Sequence, residues 1–482
     1  MIFNSFQFVW LFPIVLLLYY GSLCLLRSSA PEVRKKISNY LLIFISYALY
    51  MQWNPKYTLV LLGVTFITYQ SAICMARLTD KGRKKCLFVT GVLLGLLPLL
   101  IFKYTGFLYE SFQSIVGAAS SVEINLIAPL GISFFTFQAV GYLFDVYYKR
   151  SEVEYNWWNY MLFVCFFPQL LSGPISKAAD LMPQINRSRL FHPEQAVQGM
   201  KWLLWGMFLK TVFADRIGIF VDSVYQNYEH LNGMSCLLGA VAYSFQIYGD
   251  FAGYSFMALG VGELMGFELI NNFQRPYFAA SITEFWRRWH ISLTRWLTYN
   301  VYIPLGGSRC SQRRQYGNIM ITFLVSGLWH GANWTFVVWG GLHGLFQIIE
   351  KALGIDPKGK YANARWMTSF KSLRILVTFS LVTFAWIFFR MPTVTDAFYF
   401  IGKIFTDSSS ASASYTPSLL LFILMGVFIV FVKDSMDEYL AKPCTILHHR
   451  YIGVRWVGYI TLLYLILICG VFDAGSFIYV SF

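Results

Sequence analysis

SGLWHGANWTFVVWGGLHG, residues 326–344, decides how this chain is read. The stretch is apolar enough to lie in a membrane, yet it sets a titratable ring, His330, between Trp329 and Gly331. Ionisable groups are costly and rare at membrane depth, so one found there marks function more often than accident. A histidine that only bonds a neighbouring helix is the plainer alternative, and that cost weighs against it.

Upstream, Arg309, Arg313 and Arg314 form a basic block, which places their loop in the cytoplasm. The apolar run that follows, from Tyr316 to Trp329, has fourteen residues. As a helix it spans about 21 Å, against roughly 30 Å of hydrocarbon. His330 is therefore expected inside the membrane thickness, on the outer side of the midplane if the helix starts at the inner interface. Gly331 and Asn333 can loosen or cap the helix end, and Trp334 to Ile349 returns to the cytoplasm. Imidazole titrates near neutrality, so such a ring suits proton abstraction.

Forty residues before His330 stands SITEFWRRWHISLTRW, residues 281–296. Read as one helix, it gathers Trp286, Trp289, His290, Leu293, Trp296 and Leu297 within about a third of the wheel, opposite Arg287, Arg288 and Arg295. That pattern predicts an amphipathic helix at the cytoplasmic interface, its arginines toward headgroups or an anionic cofactor. His290, at the edge of the apolar face, can approach the His330 site. On spacing alone, an interfacial anchor with an incidental histidine is an equal reading.

The whole chain agrees with a membrane setting. Of 482 residues, 57% are hydrophobic and 13% charged, outside the range of soluble domains. The net charge of +14 does not indicate nucleic acid, because Lys and Arg sit in short blocks between apolar runs, where they act as topology signals. The eight cysteines show no metal-ligand spacing and read as buried small hydrophobes. No metal site is expected. The N-terminal run to Leu26 lacks a basic leader and reads as a spanning helix.

Apolar spans are expected near 7–26, 39–53, 57–76, 87–102 and 126–148, with a polar external segment from Tyr104 to Glu123. Residues 157–183 are apolar but interrupted by Pro168, Gly173 and Pro174, which predicts a re-entrant or broken helix beside a site. Further runs cover 199–225 and 235–265, then 375–390, 417–432 and 456–472, the first two of these flanking an external Ser-rich loop at 406–414. The basic loops put both termini outside. The expected fold is an all-α polytopic protein of about 11–13 transmembrane or re-entrant helices. It forms one membrane domain, with N-terminal spans at 1–150, a core at 157–350 and C-terminal spans at 351–482.

Asp250 and Glu284 are candidate orienting acids, although acids in such proteins often pair with Arg for structure. His343 can face the same cavity as His330 or pack on the far side. His192, His230, His448 and His449 lie in polar loops. No GxSxG, Walker A, HExxH or paired-carboxylate pattern appears, so the corresponding hydrolase and NTPase readings have no support.

The segments FFPQLLSGPI (166–175), QIYGDFAGYS (246–255), RPYFAASITEFWRRWHISLTRW (275–296), YIPLGGSR (302–309), SGLWHGANWTFVVWGGLHG (326–344) and FIYVSF (477–482) together resemble the membrane-bound O-acyltransferase (MBOAT) family. The resemblance is to its bacterial branch, which includes alginate O-acetyltransferase and the teichoic-acid D-alanyl transfer protein. It implies helices around a central tunnel, His330 as the principal catalytic residue and His290 as a second site position. It also implies acyl transfer in a bacterial inner membrane. The donor would be acetyl-CoA or another cytoplasmic thioester, including an acyl-carrier protein, with no tightly bound cofactor. The acceptor would be an extracytoplasmic polysaccharide, reached through an external partner protein. Trp286, Arg287, Arg288, Trp289, Trp329, Asn333, Asp250 and His343 are candidates for binding or orienting. Two departures from the branch, Phe256 after the GYS run and Thr298-Tyr299 where a charged pair is usual, bear on donor and acceptor. A glycan flippase using Asp250 and His330 as a proton relay is the rival from another class.

Overall fold

The structure, a computed structural model, describes residues 3, 5–117, 126–357, 359–361, 367, 369–413, 415–440 and 446–472. The described residues are helical, with no strand among them. The terminal motif at 477–482 lies outside the described residues. Six helices are long and apolar enough to cross a membrane: Gln7–Leu25, Tyr57–Arg77, Lys81–Val116, Lys371–Arg390, Pro417–Tyr439 and Ile452–Cys469. The protein is a multi-pass membrane protein. Its chain forms two compact units, Met1–Leu203 with Met257–Ile270, and Leu204–Phe256 with Asn271–Phe482.

The first unit contains α1 (Phe6–Leu25), α2 (Pro31–Met51), α3 (Tyr57–Arg77), α4 (Lys81–Leu99), α5 (Thr105–Val116), α6 (Ile132–Tyr147), α7 (Trp157–Cys165), α8 (Phe167–Leu170) and α9 (Ala178–Ile185). Small residues let α3, α4 and α6 approach closely. A Cβ at Gly91 would come within 2.7 Å of Ser71 Oγ, and one at Gly95 within 3.1 Å of Val140. After Pro98 the helix widens into a π-turn, Leu100–Tyr104, and continues through α5. The described part of the expected polar external segment, 104–117, is therefore mostly helix. Polar side chains do not end a helix whose backbone bonds are intact.

The interrupted stretch at 157–183 is broken as its prolines predict, into α7, α8 and α9. Irregular backbone at this depth needs partners inside the protein. Asn156 caps α7 by accepting the Trp158 N–H at 2.9 Å, and the Phe167 N–H donates to Ser46 Oγ at 3.2 Å. Gln138 donates to the Phe163 carbonyl, and Gln169 to Ser176 Oγ. Asn39 donates to Asn159 Oδ1 and to the Ile185 carbonyl, both at 3.1 Å.

The chain enters the second unit within α10 (Pro193–Met207), passes a π-segment, Phe208–Ala214, and continues through α11 (Asp215–Gln226) into α12 (Gly233–Leu264). There follow α13 (Ile282–Arg288), α14 (Ile291–Leu297), a π-turn, Thr298–Tyr302, then α15 (Gln312–His330), α16 (Trp334–Leu353), α17 (Lys371–Arg390), α18 (Val394–Thr406), α19 (Pro417–Tyr439) and α20 (Ile452–Cys469). The sequence reading did not anticipate α18. Thr393 caps it by accepting the Asp396 N–H at 3.1 Å. The loop after it is tied to the loop before α12 by Gly233 N–H to the Asp407 carbonyl at 2.9 Å and Asn232 N–H to the Ala411 carbonyl at 2.7 Å. Of the cysteines, Cys165, Cys236 and Cys469 are buried as expected, whereas Cys24, Cys74 and Cys86 lie on outward helix faces.

The α15–α16 hairpin carries the site and depends on two glycines. A Cβ on Gly327 would sit 2.2 Å from the Phe336 carbonyl oxygen, and one on Gly340 would sit 2.4 Å from that of Phe323. Gly340→Val should separate the helices and destabilise the protein by about 1–3 kcal/mol. Gly341→Ala, whose nearest neighbour is 3.9 Å away, should melt with the parent. Thermal unfolding in detergent distinguishes the two; equal melting of all three proteins would contradict this packing.

Candidate active site

The segment 281–296 does not fold as the single amphipathic helix its wheel predicts. α13 ends at Arg288, Trp289 is extended, and His290 takes a left-handed conformation (φ 43°, ψ 54°) before α14 begins. The cause is tertiary. The preceding strap supplies partners that a continuous helix would find within itself: Gln274 N–H donates to the Arg288 carbonyl at 2.9 Å, and Ile291 N–H to the Asn272 carbonyl at 3.1 Å. The Asn272 side chain accepts the Ser292 N–H at 3.0 Å. At the other end, Ser281 Oγ accepts the Glu284 N–H at 3.0 Å, and the Glu350 carboxylate of α16 accepts the N–H groups of Ile282 and Thr283. A carboxylate there also complements the helix dipole. Trp286, Trp289 and Trp296 are buried in protein and form no interfacial face.

His330 is the last residue of α15 and is buried. Its ring centroid lies 4.9 Å from those of Trp329 and Trp339 and 5.3 Å from Phe389. His290, also buried, lies 6.4 Å from His330, 5.6 Å from Trp329 and 4.6 Å from Phe251. The two histidines thus share Trp329 within one aromatic enclosure. Sequence distance separates them; the left-handed turn and the α15 terminus bring them together.

His343 joins the same layer. Trp286 Nε1–H donates to His343 Nδ1 at 3.3 Å, which puts the proton of a neutral ring on Nε2. His343 packs 5.0 Å from Trp339, the ring that also faces His330. His343 and His330 both contact the ring of Trp339.

Other candidates lie in varied surroundings. Asp250 pairs with Lys210 at 2.6 Å, and Lys210 with Asp215 at 2.7 Å, all three side chains being buried. The next residue on α12, Phe251, meets His290. Asn333 caps α16 through the Thr335 N–H at 3.0 Å and donates to the Pro392 carbonyl at 2.9 Å. Arg287 is exposed, whereas Arg288 is bound by Glu284 at 2.6 Å and Glu438 at 2.8 Å. Trp289 is fully buried, 5.2 Å from Trp386 and 5.1 Å from Phe273. Sequence reasoning missed Trp339, Phe389, Phe251, Lys210 and Glu438. Only Lys210 carried a signal, a lysine inside the apolar run 199–225. Chemically, an imidazole in such a buried aromatic setting is suited to take a proton from a hydroxyl held beside it.

The sequence profile of the membrane-bound O-acyltransferase family matches residues 45–392, a span that includes both histidines. The chain is 35% identical over 453 residues to the probable alginate O-acetylase of Pseudomonas aeruginosa, covering 92% of this chain and 83% of that protein. It is 34% identical over 383 residues to the peptidoglycan O-acetyltransferase of Helicobacter pylori, covering 74% and 71%. It is 31% identical over 291 residues to the teichoic acid D-alanyltransferase of Streptococcus thermophilus, covering 55% and 69%.

The left-handed turn can be tested by stability alone. Asn tolerates this conformation and β-branched residues do not, so His290→Val should be less stable than His290→Asn by about 1–2 kcal/mol. Equal melting temperatures for the two variants would contradict the turn.

Proposed function

The chain belongs to the membrane-bound O-acyltransferase family, and from that premise we propose that it moves acetyl from a cytoplasmic thioester to hydroxyls of an extracytoplasmic polysaccharide, with His330 as the base. It is an O-acyltransferase; the acetyl group and polysaccharide class follow the names of its alginate and peptidoglycan relatives. The observation that carries the reading is the His330–His290 pair, 6.4 Å apart in one buried aromatic enclosure.

In this scheme His330 accepts the proton of the acceptor hydroxyl as its oxygen attacks the thioester carbonyl. The carbonyl oxygen gains charge, ring or amide N–H donors stabilise it, and collapse expels the thiolate, which takes the proton from the imidazolium. Acid and base balance within one turnover. His290, held by its turn, shapes the enclosure beside the reacting atoms, and the hydrogen-bonded pair His343–Trp286 packs on Trp339.

Exposed Arg287 is an available cation for the anionic part of a CoA or carrier-protein donor; Arg288 is engaged by two carboxylates. Membrane lipids surround the apolar spans, the setting is a bacterial inner membrane with both termini outside, and an external partner receives the acetyl group for delivery. The rival proton relay would need Asp250, which is paired with Lys210.

The test is acetyl transfer from labelled acetyl-CoA in membranes carrying the chain with its partners. His330→Gln should lower label on the surface polysaccharide by about 100-fold or more, the range typical of a lost general base. Undiminished label in the variant would remove His330 from that role. Export blocked by the variant, with no label transferred by the wild type, would favour transport.

A further inference from the structure

The profile match ends at residue 392, yet the site is braced from beyond it. The last two turns of α19 carry Lys433, Asp434, Asp437 and Glu438. Glu438 receives Arg288 in a two-pronged bond, Nη1 to Oε2 at 2.8 Å and Nη2 to Oε1 at 3.0 Å. It also receives Arg275 Nε at 3.0 Å. The Glu438 side chain is only 9% exposed and that of Arg288 17%, so solvent screens the pair little.

Both arginines lie at the strained parts of the site's backbone. Arg275 is left-handed (φ 47°), as is His290, and Arg288 ends the helix two residues before His290. Arg288 Nη1 also approaches the Arg275 carbonyl at 3.4 Å, and the Gln274 N–H to Arg288 carbonyl bond joins the same two segments. The end of α19 makes a second tie to the enclosure. Tyr248 donates to Asp434 Oδ2 at 2.8 Å, and Tyr248 stands on α12 one turn before Phe251, the ring against His290. One helix end therefore references both the turn that carries His290 and the helix that packs on it.

We propose that Glu438 is a positioning residue for the acyl-transfer site: its carboxylate clamps Arg275 and Arg288 and so holds the left-handed turn that aims His290. A planar guanidinium held at two points cannot pivot, which is why a single carboxylate can fix the direction of the chain. Glu438 touches neither histidine and acts through the turn. Sub-ångström orientation of site groups controls rate, so loosening the clamp acts on turnover more than on donor binding.

The inference rests on the acyl-transfer reading, and wild-type transfer of labelled acetyl is the shared control. No transfer by the wild type with its partners would sink that reading and this one with it, whereas full transfer by the variants would sink this one alone. Kinetics and thermal unfolding are measured for the full chain in membranes with acetyl-CoA, for Glu438→Ala, Glu438→Gln and Asp437→Asn. Glu438→Ala should lower kcat by about tenfold or more with the KM for acetyl-CoA little changed. Glu438→Gln, which keeps the shape and one acceptor oxygen, should recover part of that loss at a parental melting temperature. Asp437→Asn, in the same helical turn but paired only with Lys433 in the ion pairs described, should keep the parental kcat. Parental kcat in Glu438→Gln and Glu438→Ala, or a loss shared equally by Asp437→Asn, would overturn the proposal. Should Glu438→Ala not accumulate, Glu438→Gln decides: reduced kcat at parental stability supports the clamp, and parental kcat rejects it.

Discussion

The turn at His290 is the constraint on which the rest of the site depends. A histidine with positive φ costs energy on its own and persists only where surrounding bonds over-determine it. Here Asn272 supplies two of those bonds, through its carbonyl and its side chain, and the Gln274 N–H supplies a third. Breaking one helix into α13 and α14 lets the chain bury three tryptophans and still direct an imidazole toward the end of α15. A straight helix would carry His290 past that end, with its arginines and tryptophans on fixed opposite faces.

Charge is handled in the same economical manner around the enclosure. Lys210 is placed between Asp215 and Asp250, Arg288 between Glu284 and Glu438, and the Glu350 carboxylate lies on the N–H groups that open α13. Buried charges are tolerable when paired and hydrogen-bonded, and breaking such a pair is costly because one charge is left behind. The pairs stand on helix ends and kinks, where backbone direction is set. The two site histidines are instead ringed by aromatic side chains, which keep water away from an imidazole.

Much of this was legible in the residues because the relevant signals are local. The apolar runs located the spans, and Pro168, Gly173 and Pro174 announced the broken helix, since proline removes a backbone donor wherever it stands. The motifs around His290 and His330 named the family and the two residues that the fold joins. What was not legible depends on distant chain. The wheel of 281–296 is satisfied by one helix or by two, and only Asn272 and Gln274, outside that window, decide for two. Trp339 and Phe389 look like any other aromatic residues of apolar helices until packing sets them on His330. Glu438 stands 150 residues from Arg288, in a helix whose composition reads as an ordinary span. Asp250 stands in an apolar run, where an acid marks a partner as readily as a catalyst, and Lys210 is a partner.

The central claim is that His330 performs the chemical step rather than holding the donor. The direct measurement is single-turnover acetyl transfer at saturating acetyl-CoA, with donor affinity determined on the same membranes, for the wild type and His330→Gln. The account predicts a chemical step slowed by about 100-fold or more with donor affinity unchanged. A parental single-turnover rate, or a loss that resides wholly in donor affinity, would contradict it.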